Sequence, residues 1–126
     1  MVVSLLTKDE ERDLDLLNEA REAKTQGMAF VSFPIPDRQV PVSEAQLVKL
    51  VEKVDAELSS GKNVVVHCRQ GIGRSGLACA CLLVMKGWNP ETAVQYLSAA
   101  RGAPVPETAD QRRWIDHYAT ISANAK

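Results

Sequence analysis

Three consecutive valines, Val64-Val65-Val66, run into a turn carrying Gly71 and Gly73, and an apolar stretch from Leu77 to Met85 follows. An unbroken β-branched run marks a central strand of a parallel sheet, covered on both faces. The stretch from about Arg74 to Lys86 is apolar nearly all round a helical wheel, so it reads as a buried helix. A buried strand passing through a tight turn into a buried helix leaves few architectures open. It is a unit of an α/β domain, a parallel β-sheet flanked by helices.

The rest of the chain supplies partners for that unit. Val2 to Leu6 reads as a short buried strand. Thr7-x-x-Glu10 is a capping-box pattern, and a helix is expected from there to about Lys24, stopped by Gly27. Met28 to Pro34 reads as a second strand, leading into the proline-broken loop Phe33-Pro34-Ile35-Pro36-Asp37. After the capping pattern Ser43-x-x-Gln46, residues Leu47, Leu50, Val51, Val54 and Leu58 recur at helical spacing until Gly61. Asn89-Pro90 has the N-cap and first-turn preferences of a helix start. A last helix is expected to begin near Pro106 to Thr108, with Trp114, Ile115, Tyr118 and Ile121 on one face. The expected order is β-α-β-α-β-α-α-α. At 126 residues the chain suits one domain, residues 1–126, and 45% apolar content is enough for a core.

Composition removes several function classes. A net charge of −1 gives no global basic field toward nucleic acid or anionic membrane. The run Leu77 to Met85 is too short to span a bilayer. The start Met1-Val2-Val3-Ser4 lacks the basic opening and cleavage site of a signal peptide. Three closely spaced cysteines, an odd number, argue against a disulfide scaffold and for a reducing, cytoplasmic compartment. No cluster has metal-ligand spacing, so no metal or other cofactor is expected.

The chemistry concentrates at the turn His67-Cys68-Arg69-Gln70-Gly71-Ile72-Gly73-Arg74-Ser75-Gly76. It sits at the carboxyl end of a strand, where open α/β sheets bind ligands. Gly71 and Gly73 let the backbone curl so that successive N–H groups point inward as an anion nest. The following helix adds its N-terminal dipole. Arg74 can close the ring with a bidentate guanidinium–phosphate pair. Those same donors stabilise a thiolate, which makes Cys68 a nucleophile aimed at a bound phosphorus.

The segment matches His-Cys-x5-Arg-Ser and so resembles the signature of the protein-tyrosine phosphatase superfamily. Beyond the signature, the stretch Arg101 to Gln111 is similar to compact dual-specificity enzymes of the kinase-associated and bacterial type. Rhodaneses also hold a thiolate in such a loop, but theirs typically has one residue fewer. The resemblance implies phosphate binding by Arg69, Gln70, Gly71, Ile72, Gly73 and Arg74. It implies metal-free hydrolysis of phosphotyrosine, with phosphoserine and phosphothreonine admitted by a shallow cleft, in a phosphorylated protein or peptide partner. The arginine at position 69 is the only extra base in the loop, which argues against a phosphoinositide substrate.

Among the supporting residues, Asp37 is the expected general acid. It lies 31 positions before Cys68 (68 − 37) on a loop stiffened by Pro34, Pro36 and Pro41. Asp110 is its competitor, better explained as first-turn charge on the last helix. By resemblance, Ser75 assists the departure of the thiolate and His67 tunes it through backbone hydrogen bonds. Gln111 has two readings: placing the hydrolytic water, as in some relatives, or capping its own helix through Thr108-x-x-Gln111. The cysteines Cys79 and Cys81 read as core, since free cysteine packs as a small hydrophobe. Gln70 replaces the alanine common at that place.

The resembled fold usually has one or two strands and a helix before the strand at Val2, and this chain begins there. The strand at Val64 would then present an open edge, leaving two arrangements: a homodimer through that edge, or a monomer that covers it. Function also has an alternative, a phosphoprotein-binding module of the same fold that has lost turnover. The presence of both Cys68 and Arg74 speaks for hydrolysis.

Overall fold

The computed structural model describes residues 1–125, with side chains through residue 122. Strand β1 (Val2–Ser4) is the middle of a parallel sheet. It pairs with β2 (Phe30–Ser32) in the register Val3↔Val31, and with β3 (Val65–His67) in the register Val3↔Val66. The valine strand therefore lies at an edge of the order β2-β1-β3 and not at its centre, and Val65 is 56% exposed. A β-branched run reports the preference for a pleated backbone, and the number of neighbours is set by topology. The strands are also shorter than their apolar runs. Backbone bonds from Leu5 N–H to His67 O and from Phe33 N–H to Ser4 O continue the ladder, but Pro34 has no N–H to donate.

The expected first helix is two helices, α1 (Lys8–Asp13) and α2 (Glu19–Thr25). The capping box forms as read, with Thr7 and Glu10 satisfying each other's backbone N–H. The break comes at Asp15, whose φ of +58° is left-handed. Leu16 N–H bonds to Glu11 O and Asp15 N–H to Arg12 O, the paired bonds of a Schellman stop. Aspartate tolerates that conformation better than most non-glycine residues, so the stop needs no glycine.

Four helices complete the domain: α3 (Glu44–Ser59), α4 (Arg74–Met85), α5 (Pro90–Arg101) and α6 (Ala109–Ala125). Their caps follow the sequence signals. Ser43 accepts from Gln46 N–H, Asn89 from the N–H groups of Glu91 and Thr92, and Thr108 from Gln111 N–H. Helix α4 packs against α3, α5, α6 and β3, which is why its apolar surface runs all round. Leu77, Ala80 and Cys81 on α4 meet Val3, Leu5, Ile35, Leu47, Ile115 and Tyr118 in a fully buried core. Leu58, expected on the core face of α3, is instead 43% exposed and lines an open cavity with Leu82, Leu83 and Trp88. No helix among the described residues is long and apolar enough to cross a membrane.

Candidate active site

Strand β3 ends at His67, the chain curls through residues 68–73, and α4 begins at Arg74. Gly71 takes φ +73°, a left-handed turn that aims its N–H back at Cys68 Sγ, 3.3 Å away. Gly73 is needed for another reason than the curl. Its φ is −77°, which any residue adopts, but a Cβ there would come within 2.9 Å of Gln111 Oε1 and 3.0 Å of Glu107 Cβ. It is a glycine because the loop before α6 lies directly against it.

Burial pushes the Cys68 thiol up, yet its pKa ends below the ordinary thiol value. The Ser75 hydroxyl and N–H, the Gly71 N–H and the Arg74 charge favour the thiolate and outweigh burial. The Ser75 hydroxyl is itself buried and makes no aligned hydrogen bond within the protein. In contrast, burial raises Cys79 to about 11 and raises Cys81 still further, so these two remain protonated thiols of α4.

The Arg74 side chain is 2% exposed. Its Nη1 donates to Glu10 Oε1 at 2.5 Å and to Ile35 O at 2.8 Å. Its Nη2 donates to Glu10 Oε2 at 2.8 Å and to Asp37 Oδ1 at 3.3 Å. Helix α1 thus supplies a bidentate counter-ion, and the proline loop brings Asp37 to the same guanidinium. Arg74 lowers the Glu10 pKa to about 2 against the opposing cost of burial, with help from Thr7. Asp37 itself is 57% exposed and stands in a turn closed by Gln39 N–H on Pro36 O, with Arg38 left-handed at φ +65°.

That turn is anchored to the start of α6. Arg38 pairs with Glu107, and Gln111 Nε2 donates to Gln39 O at 3.0 Å. The same Gln111 amide accepts from the N–H groups of Glu107 and Thr108 with its oxygen. Behind the phosphate loop lies an open cavity of about 370 Å³, whose lining includes Val66, Cys79, Leu97 and Val105. Its lining also includes Gly71, Ser75 and Arg101, but not Cys68, Arg74 or Asp37. No group of three metal-ligating side chains occurs among the described residues.

A family model described as a polymorphic toxin system DSP-PTPase phosphatase matches residues 1–88, well over half of the chain. The chain belongs to the dual-specificity phosphatase family. A protein of Invertebrate iridescent virus 6 named as a tyrosine phosphatase is 33% identical over 119 residues, spanning 89% of this chain and 43% of that protein. Cyclin-dependent kinase inhibitor 3 of Sus scrofa is 30% identical over 94 residues, spanning 73% and 44%. The chain spans less than half the length of both these curated relatives. Among solved structures, Tk-PTP in its active form superposes with a TM-score of 0.82 at 27% identity, covering 94% of this chain and 77% of that one. Kinase associated phosphatase superposes with a TM-score of 0.89 at 24% identity, covering 97% and 69%, which shows the fold.

Set in this dual-specificity phosphatase fold, most of the residues singled out from sequence converge. Cys68, Gly71, Arg74, Ser75 and Asp37 share one site, and Gln111 packs against Gly73. Arg69 and Gln70 are exposed. Asp110 is 75% exposed and paired with Arg113, away from the guanidinium. His67 Nε2 lies 2.7 Å from Glu19 Oε2 on α2 without aligned hydrogen-bond geometry. The sequence reading missed Glu10, because a glutamate in a capping box is already explained locally. Only the fold shows that both of its oxygens reach Arg74.

The depressed Glu10 pKa fixes a sign. Its stabilisation is complete above the ordinary carboxylate pKa of 4.5 and is lost as pH falls toward about 2. Glu10→Gln leaves Arg74 buried without its counter-ion. The substitution is expected to cost on the order of 3 kcal/mol near neutral pH and to flatten the acid limb of stability. Urea unfolding of both proteins near pH 7 and near pH 3 measures this.

Proposed function

We propose that this domain hydrolyses phosphomonoesters in proteins or peptides, phosphotyrosine and also phosphoserine and phosphothreonine, through a phosphocysteine on Cys68. The observation that carries the reading is the thiol itself. It sits in the loop that leads into a buried helix, accepts the Gly71 N–H, and has its pKa held below the ordinary value beside Arg74. A binding module needs the anion nest but not a thiolate.

The steps follow from the geometry. The phosphoryl group enters the nest formed by the backbone of residues 69–74. Arg74 has given both Nη1 hydrogens to Glu10 and Ile35, and its Nη2 holds Asp37 loosely at 3.3 Å. Phosphate oxygens displace Asp37 from Nη2, while Glu10 keeps the guanidinium plane in place from the far side. The Cys68 sulfur attacks phosphorus, and the bond to the leaving oxygen breaks as Asp37 gives that oxygen a proton. Water then attacks phosphorus, Asp37 takes its proton, and the S–P bond breaks to return the thiolate and release inorganic phosphate. The Ser75 hydroxyl, free of other partners, stabilises the sulfur as it leaves. Gln111 has one Nε2 hydrogen beyond its bond to Gln39 O, which suits it to orient the water. His67, the residue before the nucleophile, is held beside Glu19 of α2.

Partners follow from the same chemistry: a phosphorylated protein or peptide, with neither nucleic acid nor membrane required. A homodimer through β3 is a separate proposal, supported by an edge strand whose Val65 is half exposed. Light scattering of the purified domain at micromolar concentration tests it. A dimer that Val65→Lys dissociates supports it, and a monomer rules it out.

The acid is tested by leaving group. Asp37→Asn is expected to lower kcat by about a hundredfold on an alkyl or phenyl phosphate and far less on para-nitrophenyl phosphate, in the presence of a chelator. It should also remove the alkaline limb of the pH–rate profile. Asp110→Asn showing this pattern in place of Asp37→Asn would reassign the acid.

A further inference from the structure

We propose that Arg101 is a positioning residue for the nucleophile, acting through a single peptide group of the phosphate loop. The last residue of α5, it reaches across to the loop with its guanidinium fork. Its Nη2 donates to Gln70 O at 2.9 Å and its Nε to Gly71 O at 3.1 Å. The Gln70 carbonyl and the Gly71 N–H are two ends of one peptide, and that N–H is the donor to Cys68 Sγ. A continuous line therefore runs from the Arg101 cation through one peptide to the sulfur.

The peptide needs such a hold. Gly71 is left-handed at φ +73° and has no Cβ, so sterics do little to stop the 70–71 peptide from turning over. Turned over, it would present a carbonyl oxygen to the sulfur and to an incoming phosphate, both negative. Arg101 fixes two successive carbonyls outward and so keeps the N–H inward. Its charge also polarises the peptide and strengthens the donor end. A planar fork can hold two carbonyls at once, and an ammonium holds them less well. The side chain is exposed, and its hydrogen bonds go to these two loop carbonyls.

The inference rests on Cys68 being the thiolate nucleophile. The other groups bearing on that sulfur remain in place when Arg101 is changed. These are Arg74 with Glu10 and Asp37, the His67–Glu19 pair, Ser75 and Cys79.

The experiment follows iodoacetamide alkylation of Cys68 against pH by mass spectrometry, together with orthovanadate inhibition. It compares the unsubstituted chain, Arg101→Gln and Arg101→Lys. Arg101→Gln is expected to move the alkylation profile to higher pH and to slow alkylation near pH 6 about fivefold. Orthovanadate inhibition should weaken about tenfold with little change in thermal midpoint. Arg101→Lys should fall between, and it carries the test if Arg101→Gln does not fold. Profiles and orthovanadate affinities equal to those of the unsubstituted chain would overturn the proposal. An ordinary thiol profile in the unsubstituted chain would instead count against the phosphatase reading.

Discussion

The ion pair between Arg74 and Glu10 holds the rest of the site in place. Arg74 is the first residue of α4, so its charge sits at the positive end of a helix dipole and inside the core, 2% exposed. Both circumstances oppose a buried cation, and a hydrogen-bonded counter-ion is what makes one tolerable. Glu10 provides it in bidentate form, which ties α1 to α4 across β1. The third partner, Ile35 O, ties in the loop that carries Asp37. One guanidinium thus fixes α4, α1 and the loop that carries Asp37.

Around that pair the loops are pinned from outside. Arg101 holds the outer carbonyls of the phosphate loop, and Gln111 with Glu107 holds the turn beside Asp37. Gly73 leaves no space between loop and α6. Each contact joins residues distant in sequence, so the geometry around Cys68 depends on α5 and α6 even though the signature residues lie between the end of β3 and the start of α4. Preorganisation of this kind is how a short loop presents several N–H groups to one anion without paying for their alignment on binding.

What the sequence made legible was local. The strand–turn–helix around Cys68, the caps at Thr7, Ser43 and Asn89, and the apolar face of α6 each follow from neighbours a few residues away. Asp37 was readable because its prolines stiffen the loop and its spacing matches a known pattern. The stop at Asp15 was hidden, since an aspartate within a helical pattern carries no mark of left-handed backbone. Glu10 and Arg101 were hidden for a different reason. Each has an ordinary local role, as a capping partner or a last-turn cation, and the second role exists only once distant segments meet. The edge position of Val65 was expected from the resemblance and not from the run of valines, which does not encode topology.

Rapid acid quench of the purified domain during turnover of an aryl phosphate, followed by peptide mass spectrometry, tests the role of Cys68 most directly. A phosphoryl group on the peptide containing Cys68, absent from the Cys68→Ser protein along with turnover, is the expected result. Sustained metal-free turnover in Cys68→Ser, or turnover with no label on that peptide, would contradict nucleophilic catalysis at this loop.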